Sequence, residues 1–500
     1  MYIKSITIEN VRCFQNTHFS LQYPGKKQED QPALDNVNLL LGNNGAGKTT
    51  VLKALALAAL SPIMPQAGFL PYRLVRRTYK DADIKEGNIS AKVLLHAQDL
   101  NLRNLDKPRA ETMAIKLLAR GADYDTLVSA NVSPSEKNLG IWERMYDDKS
   151  PAFLVVGYGA TRRVEEAKNF DLGAQQKSRM LRYRRVAGLF ESHIALVPLS
   201  FWLPSFQKEN RGRYNQVVEL IDKILPEEAS FTGEYENEEY LFMINGILIP
   251  FDALSDGYRA YIGWIADLLY HICMGAASGT KLKDNYGLVL VDEVDLHIHP
   301  EWQRFVTASL SEALPNLQFV FTSHSPIVAG SLHKENIYVM ETESSGESVV
   351  RQYQERIYGL DAEQVLLSSY FGLRTTRAET FVDELRELSI KAGKGDILAA
   401  FDFMQKLSEE TTSSSDSPLS DNIKKDKQQK HLSFAERWGK VPAAQKILAA
   451  VAVTLLSLWI VGITIGQTIG GFVYAPLGAA LAIIGELILN WLKTDKKSKD

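Results

Sequence analysis

The sequence predicts an α/β fold with a largely parallel central sheet, because short apolar runs alternate with helical stretches. Residues 37–41, 288–291 and 319–321 are apolar runs of the length expected for buried strands. The first run ends in glycines and precedes a helical stretch over residues 48–60. Buried strands that alternate with helices are typical of parallel sheets whose two faces are both covered.

The composition limits the class of protein. A chain of 500 residues exceeds the usual size of one hydrophobic core, so we expect at least two folded units. The net charge of −4 gives no overall basic excess for nucleic-acid binding, although a local DNA-binding patch stays open. Cys13 and Cys273 are the only cysteines, which excludes a disulfide framework and indicates a reducing compartment.

Two lobes are predicted to interrupt the sheet. The first covers residues 61–148, is mixed and charged, and includes a predicted strand at 89–96 and helical periodicity at 111–120. The second, about residues 164–249, is rich in charged and aromatic residues, and we interpret it as a helical lid. A turn at 251–257 then leads into a predicted helix that ends near residue 274.

A phosphate-binding loop follows the first buried strand. Gly42 to Thr49 reads GNNGAGKT, the Walker A pattern, and it lies between a strand and a helix as the mechanism requires. Its glycines let backbone N–H groups face the phosphates, while Lys48 reaches the β and γ oxygens and Thr49 ligates Mg²⁺. A simple glycine turn is the alternative. The predicted nucleotide ligands are Asn43, Asn44, Gly45, Ala46, Gly47, Lys48, Thr49 and Thr50.

Two later strands end in residues suited to hydrolysis. Asp292 and Glu293 follow the run 288–291 as a Walker B motif, where Asp292 would hold Mg²⁺ through water and Glu293 would orient or deprotonate the attacking water. His324 follows the next strand and can hydrogen-bond the γ-phosphate. The alternatives are an acidic strand end and a structural histidine.

With the segment Leu254 to Arg259, LSDGYR, these motifs resemble the ABC ATPases of the SMC/RecF type over about residues 1–375. The resemblance implies an ABC-type P-loop head whose signature acts in trans, with Ser255 and Gly257 binding the nucleotide held by a partner copy. It also implies a D-loop role for Asp295 and places Arg12 near the nucleotide. ATP and Mg²⁺ are the implied cofactors, and a homodimer or higher homo-oligomer with ATP sandwiched between heads is the implied assembly.

Two further stretches resemble compact prokaryotic ATPases of this group. They are the segment 157–162, GYGATR, and the segment 358–374, and both are similar to the overcoming-lysogenization-defect, Septu PtuA and retron-associated ATPases. No Q-loop glutamine can be assigned, and no chemistry is assigned to either stretch. His297 and His299 are candidate metal ligands by residue type and spacing. A structural role is favoured, because a His-Pro pair after Walker B recurs in these families.

The C-terminal part of the chain differs in composition from the predicted head, residues 1–407. Residues 408–433 are polar and predict a flexible linker, followed by a juxtamembrane segment within 434–500. Residues 447–465 and 472–492 are long enough to cross a bilayer, so we expect a two-helix transmembrane hairpin. Lysines flank both outer ends, which predicts an inner-membrane protein with its head and both termini in the cytoplasm.

The hairpin also contains features with open interpretations. Gly462, Gly466 and Gly470 recur every fourth residue and form either a helix-packing face or a flexible turn. Glu486 either faces protein or water within the membrane or reaches the inner interface.

Three functions compete on this evidence. The first is a membrane-anchored ATPase of antiphage defence that dimerises around ATP and acts on the lipid bilayer, with a separately encoded effector as a further candidate partner. The second is a DNA-repair or DNA-maintenance ATPase for which the hairpin is only an anchor. An ABC transporter ranks last, because two spans per chain are too few to line a usual translocation path.

Overall fold

The computed structural model describes residues 1–28, 30–77, 85–102, 105, 107–120, 123–130, 139–165, 170, 180–277 and 279–413. The chain divides into two compact units, Met1–Arg374 and Thr375–Asp500. The candidate nucleotide-binding motifs all lie in the first unit.

The described part of the chain contains strands and helices that we number in chain order. The strands are β1 (Tyr2–Val11), β2 (Phe14–Ser20), β3 (Val37–Gly42), β4 (Glu86–Leu95), β5 (Arg109–Arg120), β6 (Tyr124–Ser129), β7 (Val155–Tyr158), β8 (Ala229–Ser230), β9 (Tyr235–Glu236), β10 (Glu239–Ile244), β11 (Ile247–Pro250), β12 (Gly287–Val291), β13 (Leu317–Thr322), β14 (Ile337–Thr342) and β15 (Ser348–Arg351). The helices are α1 (Lys48–Ala59), α2 (Ala97–Leu100), α3 (Leu139–Tyr146), α4 (Leu181–Arg184), α5 (Leu199–Glu209), α6 (Arg211–Ile224), α7 (Asp256–Gly275), α8 (Pro300–Gln303), α9 (Val306–Ala313), α10 (Pro326–Gly330), α11 (Ala362–Leu367), α12 (Glu379–Gly393) and α13 (Ile397–Ser413).

The central sheet has six strands in the order β15-β14-β3-β13-β12-β7. Every pairing from β14 to β7 is parallel, and only β15 runs antiparallel to its neighbour β14. This confirms the predicted α/β fold with a largely parallel sheet. Because the strands are parallel, the carboxyl ends of β3, β7, β12 and β13 meet at one edge of the sheet.

The sheet separates two hydrophobic cores, and the alternation of side chains along each strand assigns residues to them. On β3, Val37, Leu39 and Leu41 belong to one core, whereas Leu40 belongs to the other. Helix α1 packs in the core of Leu40, and α7 packs in the core of Val37. Both faces of the sheet are therefore covered, which explains why its strands read as uninterrupted apolar runs.

A second sheet, with the order β2-β1-β4-β5-β6, is antiparallel throughout. Residues 111–120, for which helical periodicity was predicted, lie in strand β5, so that prediction was wrong. Met113, Ile115 and Leu117 are buried at every second position, which is the period of a strand. The segment also contains Ala, Glu, Lys and Leu, which favour helices in isolation, but pairing with β4 and β6 overrides this propensity.

The predicted helical lid, residues 164–249, is only partly helical in its described residues. Helices α4, α5 and α6 are followed by a small antiparallel sheet built from β8, β9, β10 and β11. Asn245 and Gly246 both have positive φ at the turn between β10 and β11, the conformation that closes a tight hairpin. The predicted helix after residue 257 is present as α7.

The second unit contains helices α12 and α13, which are joined by an ion pair between Lys406 and Glu384. Helix α13 ends at Ser413, so residues 408–413 of the predicted linker are helical. The rest of the linker and both predicted spans, 447–465 and 472–492, lie outside the described residues. The helices within the described residues include no candidate membrane span by length and hydropathy.

Candidate functional site

The Walker A loop begins where β3 ends and is shaped by glycine conformations. Gly42 has φ 143°, and a Cβ at this position would lie 2.5 Å from the carbonyl oxygen of Met340 on the neighbouring strand. Gly45 and Gly47 have φ 82° and 104°, and Gly47 caps the N-terminus of α1. Only glycine adopts these angles without strain, so the sequence itself bends the loop over the start of the helix.

Lys48 is the first residue of α1, and its side chain turns back over the loop. Its Nζ donates to the carbonyl oxygens of Gly42 at 2.7 Å and Asn43 at 3.3 Å. Burial lowers the pKa of Lys48, and the negative charges of Asp292, Glu293 and Asp295 oppose this shift. Of the other predicted loop ligands, three are exposed to solvent (Asn43, Asn44 and Gly45) and two are buried (Ala46 and Thr50).

The two predicted Mg²⁺ ligands are hydrogen-bonded to each other. Thr49 Oγ1 donates to Asp292 Oδ2 at 2.7 Å, and Thr322 Oγ1 donates to Asp292 Oδ1 at 2.6 Å. A hydroxyl beside a carboxylate is a donor set that Mg²⁺ accepts when substrate phosphates and water complete its six ligands. The described residues contain no cluster of three or more His, Cys, Asp or Glu side chains that could hold a metal alone. The Thr49–Asp292 pair fits Mg²⁺ whose remaining ligands are substrate phosphates and water.

Glu293 is held in an unusual backbone conformation at the same sheet edge. Its φ is 50°, which is uncommon for a residue with a side chain. Its N–H donates to Thr322 Oγ1 at 2.7 Å, and its carbonyl accepts from Nη2 of Arg162 at 2.8 Å. The side chain, half-buried, is thus attached to a backbone that is fixed on both sides.

The contribution of Arg162 was not predicted from its motif, GYGATR, although the motif contains the residue. The residue follows β7, the strand next to β12, and its Nη1 donates to the carbonyl of Asp292 at 2.7 Å. Burial lowers the pKa of Arg162 to about 10, although the nearby carboxylates, Asp292 foremost, oppose the shift. The position of GYGATR directly after a buried strand is the signal that could have placed it at this edge.

Two other predicted residues follow the strands that end at this edge, Asp295 after β12 and His324 after β13. His324 is exposed, two residues beyond the end of β13. Asp295 is half-buried, and its Oδ1 is a buried atom with no hydrogen-bond partner among the described residues. Its carboxylate opposes the lowered pKa values of Lys48 and Arg162, so it contributes negative charge to the site.

Arg12 lies beside helix α1. It has φ 47°, its N–H donates to the carbonyl of Leu74 at 2.9 Å, and its Nη2 donates to that of Tyr72 at 3.4 Å. Burial lowers the pKa of Lys53 on α1, and the positive charge of Arg12 lowers it further. The predicted place of Arg12 near the nucleotide stays a prediction, while its place near the phosphate-binding helix is observed.

The signature residues lie at the start of α7. Ser255 is the exposed N-cap, and Gly257 packs so closely that a Cβ there would lie 2.8 Å from the carbonyl oxygen of His297. Among the described residues, no hydrogen bond joins Ser255 or Gly257 to the Walker A loop of the same chain. Their predicted action on a partner's nucleotide therefore stays a prediction. His299 accepts from the N–H of Glu301 at 3.4 Å and so caps α8, which is the structural role favoured for it over metal binding.

A buried polar network connects β7 to the signature helix α7. Tyr158 at the end of β7 accepts the N–H of Asp292 with its carbonyl at 2.9 Å. Its hydroxyl donates to Asp267 Oδ2 at 2.7 Å, while the N–H of Val197 donates to Asp267 Oδ1 at 2.7 Å. Burial, followed by the charge of Asp267, raises the pKa of the Tyr158 hydroxyl well above its usual value.

Comparison with known proteins gives one family match and several relatives. The family described as "AAA domain, putative AbiEii toxin, Type IV TA system" matches residues 37–329. The Septu protein PtuA of Bacillus mycoides (strain KBAB4) is 24% identical over 380 residues, which is 75% of this chain and 45% of that protein. The retron Vc95 probable ATPase of Vibrio cholerae serotype O1 biovar El Tor is 34% identical over 96 residues, 19% of each chain.

The chain spans less than half the length of these curated relatives. Among solved structures, an Smc head bound to the C-winged helix domain of ScpA aligns with a TM-score of 0.42 and 16% identity. The alignment covers 71% of this chain and 98% of that one.

Proposed function

Because the chain belongs to the family of AAA domains described with the putative AbiEii toxin of type IV toxin–antitoxin systems, we propose that it binds and hydrolyses ATP in prokaryotic antiphage defence. The Septu and retron relatives support the defence role, and the retron probable ATPase supports the predicted activity. The single observation that carries the proposal is the hydrogen-bonded set of Thr49, Asp292 and Thr322 beside the Walker A loop.

Each side chain of the site has a distinct task in this function. Lys48 binds phosphate oxygens, for which it exchanges its present carbonyl partners. Thr49 and Asp292 would hold Mg²⁺, which neutralises phosphate charge when bound. Glu293 orients or deprotonates the attacking water, and His324 hydrogen-bonds the γ-phosphate.

Phosphate release by the purified full chain in detergent tests this activity. We expect the wild-type chain to hydrolyse ATP, Lys48→Ala to lose nucleotide binding, and Glu293→Gln to bind ATP but hydrolyse it on the order of 100-fold more slowly. A wild-type chain that binds no ATP, or equal rates for wild type and Glu293→Gln, would contradict the proposal.

The proposed active unit is a homodimer in which Ser255 and Gly257 of one copy face the nucleotide of the other. The exposure of Ser255 at the N-terminus of a 20-residue helix supports this arrangement, since such a terminus offers N–H groups to phosphate. A mixture of Lys48→Ala and Ser255→Arg chains should hydrolyse ATP faster than either alone, because the mixed dimer regains one intact site. A mixture no faster than its components, with normal nucleotide binding and dimerisation, is evidence against it.

We extend the proposal to the membrane and to an effector encoded elsewhere. The uncharged run 447–465 and the run 472–492 support anchoring in the inner membrane with the head in the cytoplasm. Dye leakage from cells should increase with the wild-type chain under phage challenge, and should not increase with Glu293→Gln or with residues 447–492 deleted. Intact membranes under every trigger would argue against action on the bilayer, and salt-dependent DNA binding by the same protein would favour DNA maintenance instead.

A further inference from the structure

We propose that Arg162 is a positioning residue for hydrolysis, because its guanidinium fixes the backbone that carries Asp292 and Glu293. Its two terminal nitrogens donate to two consecutive carbonyls, Nη1 to Asp292 at 2.7 Å and Nη2 to Glu293 at 2.8 Å. The planar guanidinium fork suits such paired acceptors, because both bonds form in one orientation of the side chain. The inference rests on the proposed ATP hydrolysis.

The backbone conformation of Glu293 explains why the two hydrogen bonds from Arg162, which we call the clamp, are needed. A φ of 50° is unfavourable for a residue with a Cβ, so the surrounding structure must hold it. Thr322 Oγ1 accepts the N–H of Glu293, and Arg162 donates to the carbonyls of Asp292 and Glu293, one on each side of the Glu293 Cα. These bonds fix the direction in which the Glu293 side chain leaves the backbone.

The contacts of Arg162 favour this role over direct phosphate binding. Both Nη atoms are occupied by backbone carbonyls within the same chain. The residue is only partly exposed to solvent. Its neighbour Arg163 is different, because that side chain is 60% exposed and pairs with Glu165 at 3.1 Å.

A geometric role for Arg162 makes a kinetic prediction. Displacement of a reacting group by about 1 Å can slow a reaction on the order of 100-fold. We therefore expect Arg162→Ala to lower kcat by that order while the Kd for ATP changes by less than about twofold. Arg162→Lys, which keeps a donor but not the fork, should recover part of the rate, and Arg163→Ala is the matched control expected to hydrolyse ATP like wild type.

Two measurements on the full chain in detergent test this role. Peptide-resolved hydrogen exchange without nucleotide should show the Glu293 and Val294 amides exchanging on the order of tenfold faster in Arg162→Lys than in Arg163→Ala, because a fixing bond is lost. In steady-state kinetics, Arg162→Ala should add no further loss to Glu293→Gln. The Asp292 carboxylate stays bonded to Thr49 and Thr322, so the rate effect of Arg162 passes through Glu293.

Unchanged amide exchange in Arg162→Lys would overturn the proposal, and so would a Kd for ATP that rises as much as kcat falls. The proposal is also overturned if the double variant Arg162→Ala/Glu293→Gln loses kcat by the product of the two single-variant losses. Because the exchange measurement needs no hydrolysis and Arg162→Lys keeps the buried charge, it remains decisive if Arg162→Ala fails to fold. Absence of hydrolysis in both wild type and Arg163→Ala would instead count against the proposed ATPase.

Discussion

Thr322→Val is expected to destabilise the chain, although valine has nearly the same shape as threonine. The substitution also removes the hydroxyl that joins the Asp292 carboxylate to the backbone of Glu293. The Thr322 side chain is fully buried, its hydroxyl donates to Asp292 Oδ1 at 2.6 Å, and it accepts the N–H of Glu293 at 2.7 Å. Valine provides neither bond. The substitution therefore leaves one carboxylate oxygen and one amide N–H without a protein partner.

The magnitude follows from the two lost bonds. Each buried polar group left unpaired costs about 1–3 kcal/mol. Asp292 keeps its bond from Thr49, and Glu293 is only half-buried, so water can compensate in part. We therefore expect the free energy of unfolding to fall by about 3 kcal/mol, near the lower end of the summed range.

Urea unfolding of the full chain in detergent, followed by tryptophan fluorescence, measures this loss. Thr322→Ser is the matched control, because it keeps the hydroxyl and loses only one methyl group, at a cost of about 1 kcal/mol. The reasoning fails if Thr322→Val unfolds at the same urea concentration as wild type, or if Thr322→Ser proves the less stable of the two variants.

Three further predictions concern other contacts. Burial lowers the pKa of His96 to about 3, so between about pH 3 and 6.5 this side chain is protonated in the unfolded chain but not in the folded one. The free energy of unfolding should therefore fall by about 1.3 kcal/mol from pH 7 to 5.5 through this group, and His96→Phe should remove that difference. Gly42→Ala should lower the melting temperature far more than Gly45→Ala, since a Cβ at residue 42 would lie 2.5 Å from a carbonyl oxygen whereas a Cβ at residue 45 would have no atom within 4 Å. Equal shifts of the melting temperature in calorimetry would contradict this. Asp267→Ala should cost about 2–5 kcal/mol by leaving the Tyr158 hydroxyl unpaired, with Asp267→Asn milder, and a denaturation midpoint equal to wild type would refute the network.

The parts of the fold that the sequence predicts are those encoded locally. The Walker A loop combines a strand, three glycines with positive φ and a helix start within adjacent residues, so its motif carries its own structural context. Strand β5 shows the opposite case. Its residues favour a helix in isolation, and only the buried alternation of Met113, Ile115 and Leu117 against its neighbouring strands determines the observed structure.

The clamp on the Walker B segment could not be predicted in the same way, because its acceptors are backbone atoms. Arg162 is separated from Asp292 and Glu293 by 130 and 131 residues, and a carbonyl leaves no residue-type signature in the sequence. The sequence does show that β7 and β12 are apolar runs typical of buried strands. Because these strands pair in parallel, the residues that follow them lie at the same edge of the sheet. The contacts of Tyr158 also involve a backbone atom that the sequence does not reveal. Its carbonyl accepts the N–H of Asp292, and its hydroxyl donates to Asp267 on α7. A movement of the signature helix relative to the sheet must therefore either break these bonds or shift the strand next to Walker B. Tyr158, the last residue of β7, thus connects the Walker B segment, which serves one site of the proposed homodimer, to the signature helix, which serves the other.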